Sequence, residues 1–148
     1  MSKLDTHEYD WLRHIFNGVA ITNINATGGT TQLWLGLHTA DPGDAGSTAA
    51  EGGYTAYTRI ALQRSTSTAG WSVTSGTSAA KATVSPVNTV NFPQVATTST
   101  GTFTHASVYT SSNISSSGAL YNGTITPNIN FSQNVTPQLT TGSSITED

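Results

Sequence analysis

Cysteine is absent, so the fold is built without disulfides and offers no thiolate metal site. Charge is scarce as well. Asp, Glu, Lys and Arg make up 9% of the 148 residues, against about 25% in ordinary globular proteins. The basic residues are Lys3, Arg13, Arg59, Arg64 and Lys81. They are too few and too scattered to neutralise a run of phosphates, which argues against a nucleic-acid partner. No apolar run approaches the roughly 18 residues of a membrane-spanning helix. The opening residues lead into an acidic, amphipathic segment rather than the apolar centre of a secretion signal. After Glu51 no acidic residue occurs until Glu147 and Asp148, so paired carboxylates for acid–base work are not in prospect. Neither common glycine-rich phosphate-binding pattern occurs. No fixed-period repeat points to a solenoid or propeller.

What the chain does have is hydroxyl groups. Its 27 Thr and 18 Ser give a surface that is polar without being ionic. Threonine suits strands, and a net charge of -3 gives little self-repulsion, as befits a protein packed in an assembly. Five Asn-X-Ser/Thr triplets, at Asn25, Asn113, Asn122, Asn130 and Asn134, are what chance supplies in such a composition.

The clearest local signal is Thr31 to Gly46. Leu33, Leu35 and Leu37 alternate with Gln32, Trp34, Gly36 and His38, the period of a β-strand. Asp41-Pro42-Gly43-Asp44 then stops it with turn chemistry. Ahead of it, Leu4, Trp11, Leu12, Ile15, Phe16 and Val19 make a helical stripe, and Asp5 and Glu8 are spaced as a capping box, so a helix is expected over residues 5–17. Beyond it, strands are expected over 54–62, 71–73, 81–84, 87–92, 102–110, 119–126, 128–131 and 135–139, with Pro127 ending one of them. About eight short strands, with turn signals every eight to twelve residues, read as an all-β sandwich or barrel. The expected fold is therefore mainly β, a single-domain antiparallel β-sandwich of jelly-roll or Greek-key kind with one N-terminal α-helix. Residues 1–20 form the helix and a docking arm, 31–139 the sandwich, and 140–148 a polar tail that is mobile unless a neighbour holds it.

Candidate chemistry is thin. His38 and His105 lie on expected strands and make a candidate metal pair without a third ligand. Asp41 and Asp44 are candidate calcium ligands, although a turn explains them as well. Trp34, Tyr54, Tyr57, Trp71 and Tyr109 are candidates for an aromatic sugar-binding face, although such residues more often fill a β core. None of these amounts to a catalytic set, so the expectation is a non-enzymatic protein with no cofactor and no metal. Protein contacts are expected through the helix residues Trp11, Ile15 and Phe16, through Asp41 and Asp44 in the Ala40–Gly53 loop, and through the tail.

Four stretches carry a resemblance. Leu33-Trp34-Leu35-Gly36-Leu37-His38-Thr39-Ala40-Asp41-Pro42-Gly43-Asp44-Ala45-Gly46 resembles the "LY-ALHTADPTDAG" run of small tailed-bacteriophage virion proteins of the tail-fibre-like or capsid-associated kind. Glu51 to Arg59 resembles that family's "E-GG-YAR" stretch. Asn91-Phe92-Pro93 with Gly101 to Ala106 resembles "FPxA…WGTVTHxGI", and Gly118 to Gly123 resembles "GxLLYxGAL". The tryptophan of the third run is missing here, and the match weakens after Pro127. The resemblance implies a β-sandwich structural module located in the virion and assembled in the host cytoplasm, with other virion proteins as partners. Two placements follow: a head decoration or cement protein on the capsid, with three copies around a cyclic axis, or a tail or fibre attachment module that binds a receptor or carbohydrate. The decoration placement is the first expectation.

Overall fold

Alternation along strands sets the layers. In the computed structural model, which describes residues 2–3, 10–11, 16–17, 31–74 and 82–147, ten strands are present among the described residues. They are β1 (Ser2–Lys3), β2 (Gln32–His38), β3 (Ile60–Gln63), β4 (Trp71–Thr74), β5 (Ala82–Pro86), β6 (Val90–Asn91), β7 (Gly101–Tyr109), β8 (Ala119–Phe131), β9 (Gln138–Leu139) and β10 (Ile145–Glu147). All pairings are antiparallel. A five-stranded sheet runs β1-β8-β7-β2-β3, a three-stranded sheet runs β10-β5-β4, and β6 pairs with β9. The fold is mainly β, as the alternation predicts.

The core lies on one face of the five-stranded sheet. Leu35, Leu37, Phe103, Val108 and Phe131 come from that sheet, Trp71 and Ile145 from the three-stranded sheet, and Val90 and Leu139 from the β6–β9 pair. Phe103 and Phe131 stack with centroids 4.6 Å apart, and Tyr57 stacks on Phe92 at 6.0 Å. Aromatic burial on this scale carries much of a small domain's apolar driving force.

Several sequence expectations shift in detail. The strand expected over 54–62 begins only at Ile60. Tyr54 and Tyr57 instead form a turn, with the Tyr57 N–H donating to the Tyr54 carbonyl at 3.1 Å, and both rings enter the core. Pro127 does not end β8. Between Phe103 and His105 on β7, the partner jumps from Ile129 to Thr124, so β8 carries a bulge that contains the proline. A bulge leaves backbone groups unpaired and so tolerates a residue with no N–H. In the tail, Ile145–Glu147 pairs with β5, and Ile145 is buried in the core. Ser2–Lys3, at the start of the expected docking arm, pairs with Asn122 and Tyr121 of β8. Asp10–Trp11 and Phe16–Asn17 are helical; the rest of the helix expectation, Ile15 included, lies outside the described residues.

Replacing Phe103, which is fully buried, by alanine is expected to cost about 3–5 kcal/mol of stability. Urea denaturation should show this as a lower midpoint with an unchanged slope.

Candidate functional site

The opposite face of the five-stranded sheet holds the polar chemistry. Trp34, Gly36 and His38 lie across from Tyr109, Ser107 and His105 in the β2–β7 register. A sheet face turned away from the core is ordinarily solvated, yet Gly36, His38, Ser107 and Tyr109 are all buried. The covering comes from the chain itself. After β2 it turns at Asp41–Gly46 and returns antiparallel to its own strand. The Thr39 N–H donates to the Ala50 carbonyl and the Gly52 N–H to the Leu37 carbonyl, each at 2.9 Å, and His38 bridges Glu51. Gly52 holds φ 76°, and a Cβ there would meet the Tyr57 ring at 2.8 Å, so glycine is required at this step.

The return strand delivers Glu51 and Arg59. Arg59 Nε and Nη2 donate to Glu51 Oε1 and Oε2, both at 2.7 Å, with side-chain exposures of 0% and 1%. The remaining guanidinium donors reach a different loop: Nη1 donates to the Ser111 carbonyl at 2.8 Å and Nη2 to the Ser116 carbonyl at 2.9 Å. The Arg59 Cζ lies 3.2 Å from the Tyr109 ring centroid, a cation–π stack shielded from water. Glu51 Oε1 also accepts from the Tyr57 hydroxyl at 3.4 Å, and that hydroxyl accepts from the Leu37 N–H at 2.6 Å. Gly36 makes room for the pair, since a Cβ there would lie 2.7 Å from Glu51 Oε1 and 2.8 Å from Tyr109 Cε2.

His38 sits beside this cluster with 0% exposure. Its Nε2 lies 3.0 Å from both the Ser107 and Tyr109 hydroxyls, while Nδ1 has no partner. Burial lowers its pKa to about 4, the Arg59 and His105 charges add to the fall, and Glu51 and Asp41 oppose it. Burial also raises the Tyr57 and Tyr109 phenols, Glu51 adding to both, so they stay protonated as donors. Ser107 and His38 have the spacing of a nucleophile and its base, and both are fully buried. Their effect is to hold β2, β7 and the two loops together.

The sequence candidates separate on this frame. His38 and His105 are register partners, yet His105 turns to Thr104 (Nδ1–Oγ1 2.9 Å) and lies 3.9 Å from Asp41 Oδ1. Among the described residues no group of three His, Asp or Glu side chains could hold a metal ion. Asp41 makes an Asx turn, its Oδ1 accepting the Gly43 N–H at 2.8 Å, and Asn122 Nδ2 donates to the Gly43 carbonyl at 2.7 Å and pins the loop. Asp41 and Asp44 are both exposed there. The aromatic set is core, not surface: Tyr54, Tyr57, Trp71 and Tyr109 are buried and Trp34 is half-buried against Tyr109 and Ala119. These five do not form a sugar-binding face. Trp11 and Phe16 are exposed.

The chain is thus a mainly β domain with a polar cluster sealed inside it. Comparison with protein families places it among phage virion structural proteins. Residues 2–146 match the family described as Podophage GP4 fiber I protein gp80, and the chain belongs to that family. A comparison with curated proteins finds no match.

Two outcomes follow from the cluster. Glu51→Gln leaves the Arg59 charge buried without its counter-ion and should cost about 3–5 kcal/mol, whereas replacing both partners by apolar residues of similar volume should cost much less; chemical denaturation of wild type and the two variants checks the pair. His38 is neutral in the fold with its pKa held below 6.5. Its contribution is therefore fully present above pH 6.5 and is lost as pH falls toward 4, by about 3 kcal/mol in all. Comparing the pH dependence of stability in wild type and His38→Gln over that window should show the slope disappear in the variant.

Proposed function

We propose that this protein is a non-enzymatic building block of the phage fibre apparatus rather than a decoration protein of the head. The observation that carries this reading is the family match over residues 2–146, to a family whose name denotes a podophage fibre protein. The structure is compatible with such a role: its polar cluster is sealed, and loops are held in fixed shapes at its surface. Fibre assembly then works by burying surface between protein subunits, where roughly 1,600 Å² is usual for a stable contact and repetition turns weak contacts into firm attachment.

Within this reading the partners are other virion proteins and further copies of the chain, three around a cyclic axis, and assembly takes place in the host cytoplasm. Contacts run through Trp11, Ile15 and Phe16 of the N-terminal segment and through Asp41 and Asp44 of the first loop. Phe16 is 78% exposed, a large apolar area for a subunit that stays alone.

Immunogold labelling of purified particles should mark fibres at a few copies each; labelling spread over the head in hundreds of copies would refute the fibre placement. The double variant Trp11→Asp/Phe16→Asp should fold as wild type, because both side chains are exposed, and should lose at least about tenfold in incorporation into particles, read by quantitative blotting against a capsid standard. Undiminished incorporation would remove the helix from the contact.

A further inference from the structure

We propose that β1 is exchanged between copies, so that Ser2–Lys3 of one chain adds to the β8 edge of the next. β1 is the outermost strand of the five-stranded sheet and pairs through Ser2 with Asn122 and through Lys3 with Tyr121. Strand addition of this kind is held by backbone groups. The same edge on a second copy therefore offers β1 identical partners, and the choice between the two falls to the chain that joins β1 to β2. That connection is long. Twenty-eight residues, 4–31, join Lys3 to Gln32. In the sheet only β8 and β7 lie between β1 and β2, a distance of about 14 Å across the strands. Fully extended, the connection reaches about 90 Å, so its length does not confine β1 to its own sheet.

The described part of the connection points away from its own domain. Trp11 is 47% and Phe16 78% exposed. Burying such side chains is what favours an arm folded back over its own sheet. With both exposed, a neighbouring surface is what can bury them, and the copy that accepts β1 is the neighbour the arm must touch. The edge of β8 suits a short added strand. Its pairing with β7 runs through Tyr121 to Thr124 and then jumps to Ile129, with Pro127 inside the bulge. A bulge that holds a residue without an N–H blunts an edge against longer pairing. The accepting position also reaches the sealed cluster. Ser2, Asn122, Ser107 and Gly36 stand in one row across β1, β8, β7 and β2. Asn122 is buried and its Nδ2 donates to the Gly43 carbonyl at 2.7 Å, so an arriving β1 backs the residue that pins the Asp41–Gly46 turn. A net charge of only -3 lets copies approach with little repulsion. Exchange trades internal contacts for the same contacts between chains, which makes it a low-cost route to an oligomer. The inference deepens, and rests on, the reading that copies meet through the N-terminal segment; it does not depend on where in the particle they sit.

The lack of native cysteine makes the test direct. Register partners in an antiparallel pair lie about 4.5–5.5 Å apart at Cα, within reach of a disulfide. The full chain carrying Ser2→Cys and Asn122→Cys is purified reduced and then oxidised at micromolar concentration. On non-reducing gels it should run as linked dimers and larger species that return to monomer on reduction. Each single-cysteine variant should link at least about tenfold less, because its thiols meet only by diffusion. Where the double variant loses the wild-type circular dichroism spectrum, Lys3→Cys/Tyr121→Cys takes its place with the same expectation. A monomer closed by an internal disulfide, no disulfide in either pair, or single variants that link as fully as the double variant would each overturn the exchange. None of these results would touch the fibre placement, read from particle labelling, or the contact of Trp11 and Phe16, read from incorporation. Failure of either of those would leave the gel result standing.

Discussion

The buried Glu51–Arg59 pair is the interaction on which the second layer of the fold depends. The apolar core needs only alternation, and strand residues such as Leu35, Leu37 and Val108 supply it. The other face of the same sheet has no such means of closure. Its residues are Gly36, His38, Ser107 and Tyr109, and a polypeptide laid over them must satisfy every polar atom it buries. Arg59 does most of this at once. Its guanidinium binds the carboxylate of the return strand, lies on Tyr109 of β7, and takes up carbonyls of the β7–β8 loop. The covering chain and the Ser111–Ser117 loop therefore share one fixed point, and neither keeps its shape if the other is released.

That arrangement also encloses the residues with the most catalytic look. A serine 3.0 Å from a histidine, beside a carboxylate and an arginine, has the parts of a nucleophilic centre. Access is what separates the two readings: reactive sites keep a cavity beside the nucleophile, whereas here the second hydroxyl, Tyr109, occupies that place on His38 Nε2.

Much of the frame was legible in the sequence, for reasons visible in single residues. The Leu33–Leu35–Leu37 alternation fixed the face of β2, and the Asp41 Asx turn followed from the turn chemistry of Asp41-Pro42-Gly43-Asp44. The sealed cluster was not read, although a signal existed. Glu51 and Arg59 are an acid and a base eight residues apart in a stretch with no other charge, with Gly52, Gly53 and two tyrosines between them. Periodicity reports which face of a strand is apolar and says nothing of what a later loop lays over the polar face. For that reason Tyr54 to Leu62 read as a strand: the alternation is real, but it serves two side chains that enter the core from a turn and an arginine that reaches across the sheet. The pairing of the tail is hard to read for a similar reason. Ile145 is one apolar residue among polar ones, too little for a pattern, yet it is a core residue once β5 offers an edge.

The distribution of charge then connects fold to assembly. Most globular domains stay apart through a mixed ionic surface. Here the pair that would most mark the middle of the sequence as charged is buried, and the outer surface of the sheets carries threonine, asparagine and glutamine. Some of these pair with each other, as Thr102 with Asn130 at 2.9 Å and Gln138 with Asn91 at 2.6 Å. Such a surface costs little to desolvate compared with an ionic one, so contact with a like surface faces a low barrier and little repulsion. What it lacks is discrimination, because neutral hydroxyls pair with many partners. Specificity must then come from shape, and shape is what the buried arginine confers on the loop it holds. The structure joins these two properties in one molecule: a body whose surface is largely neutral and a loop whose shape a buried arginine holds.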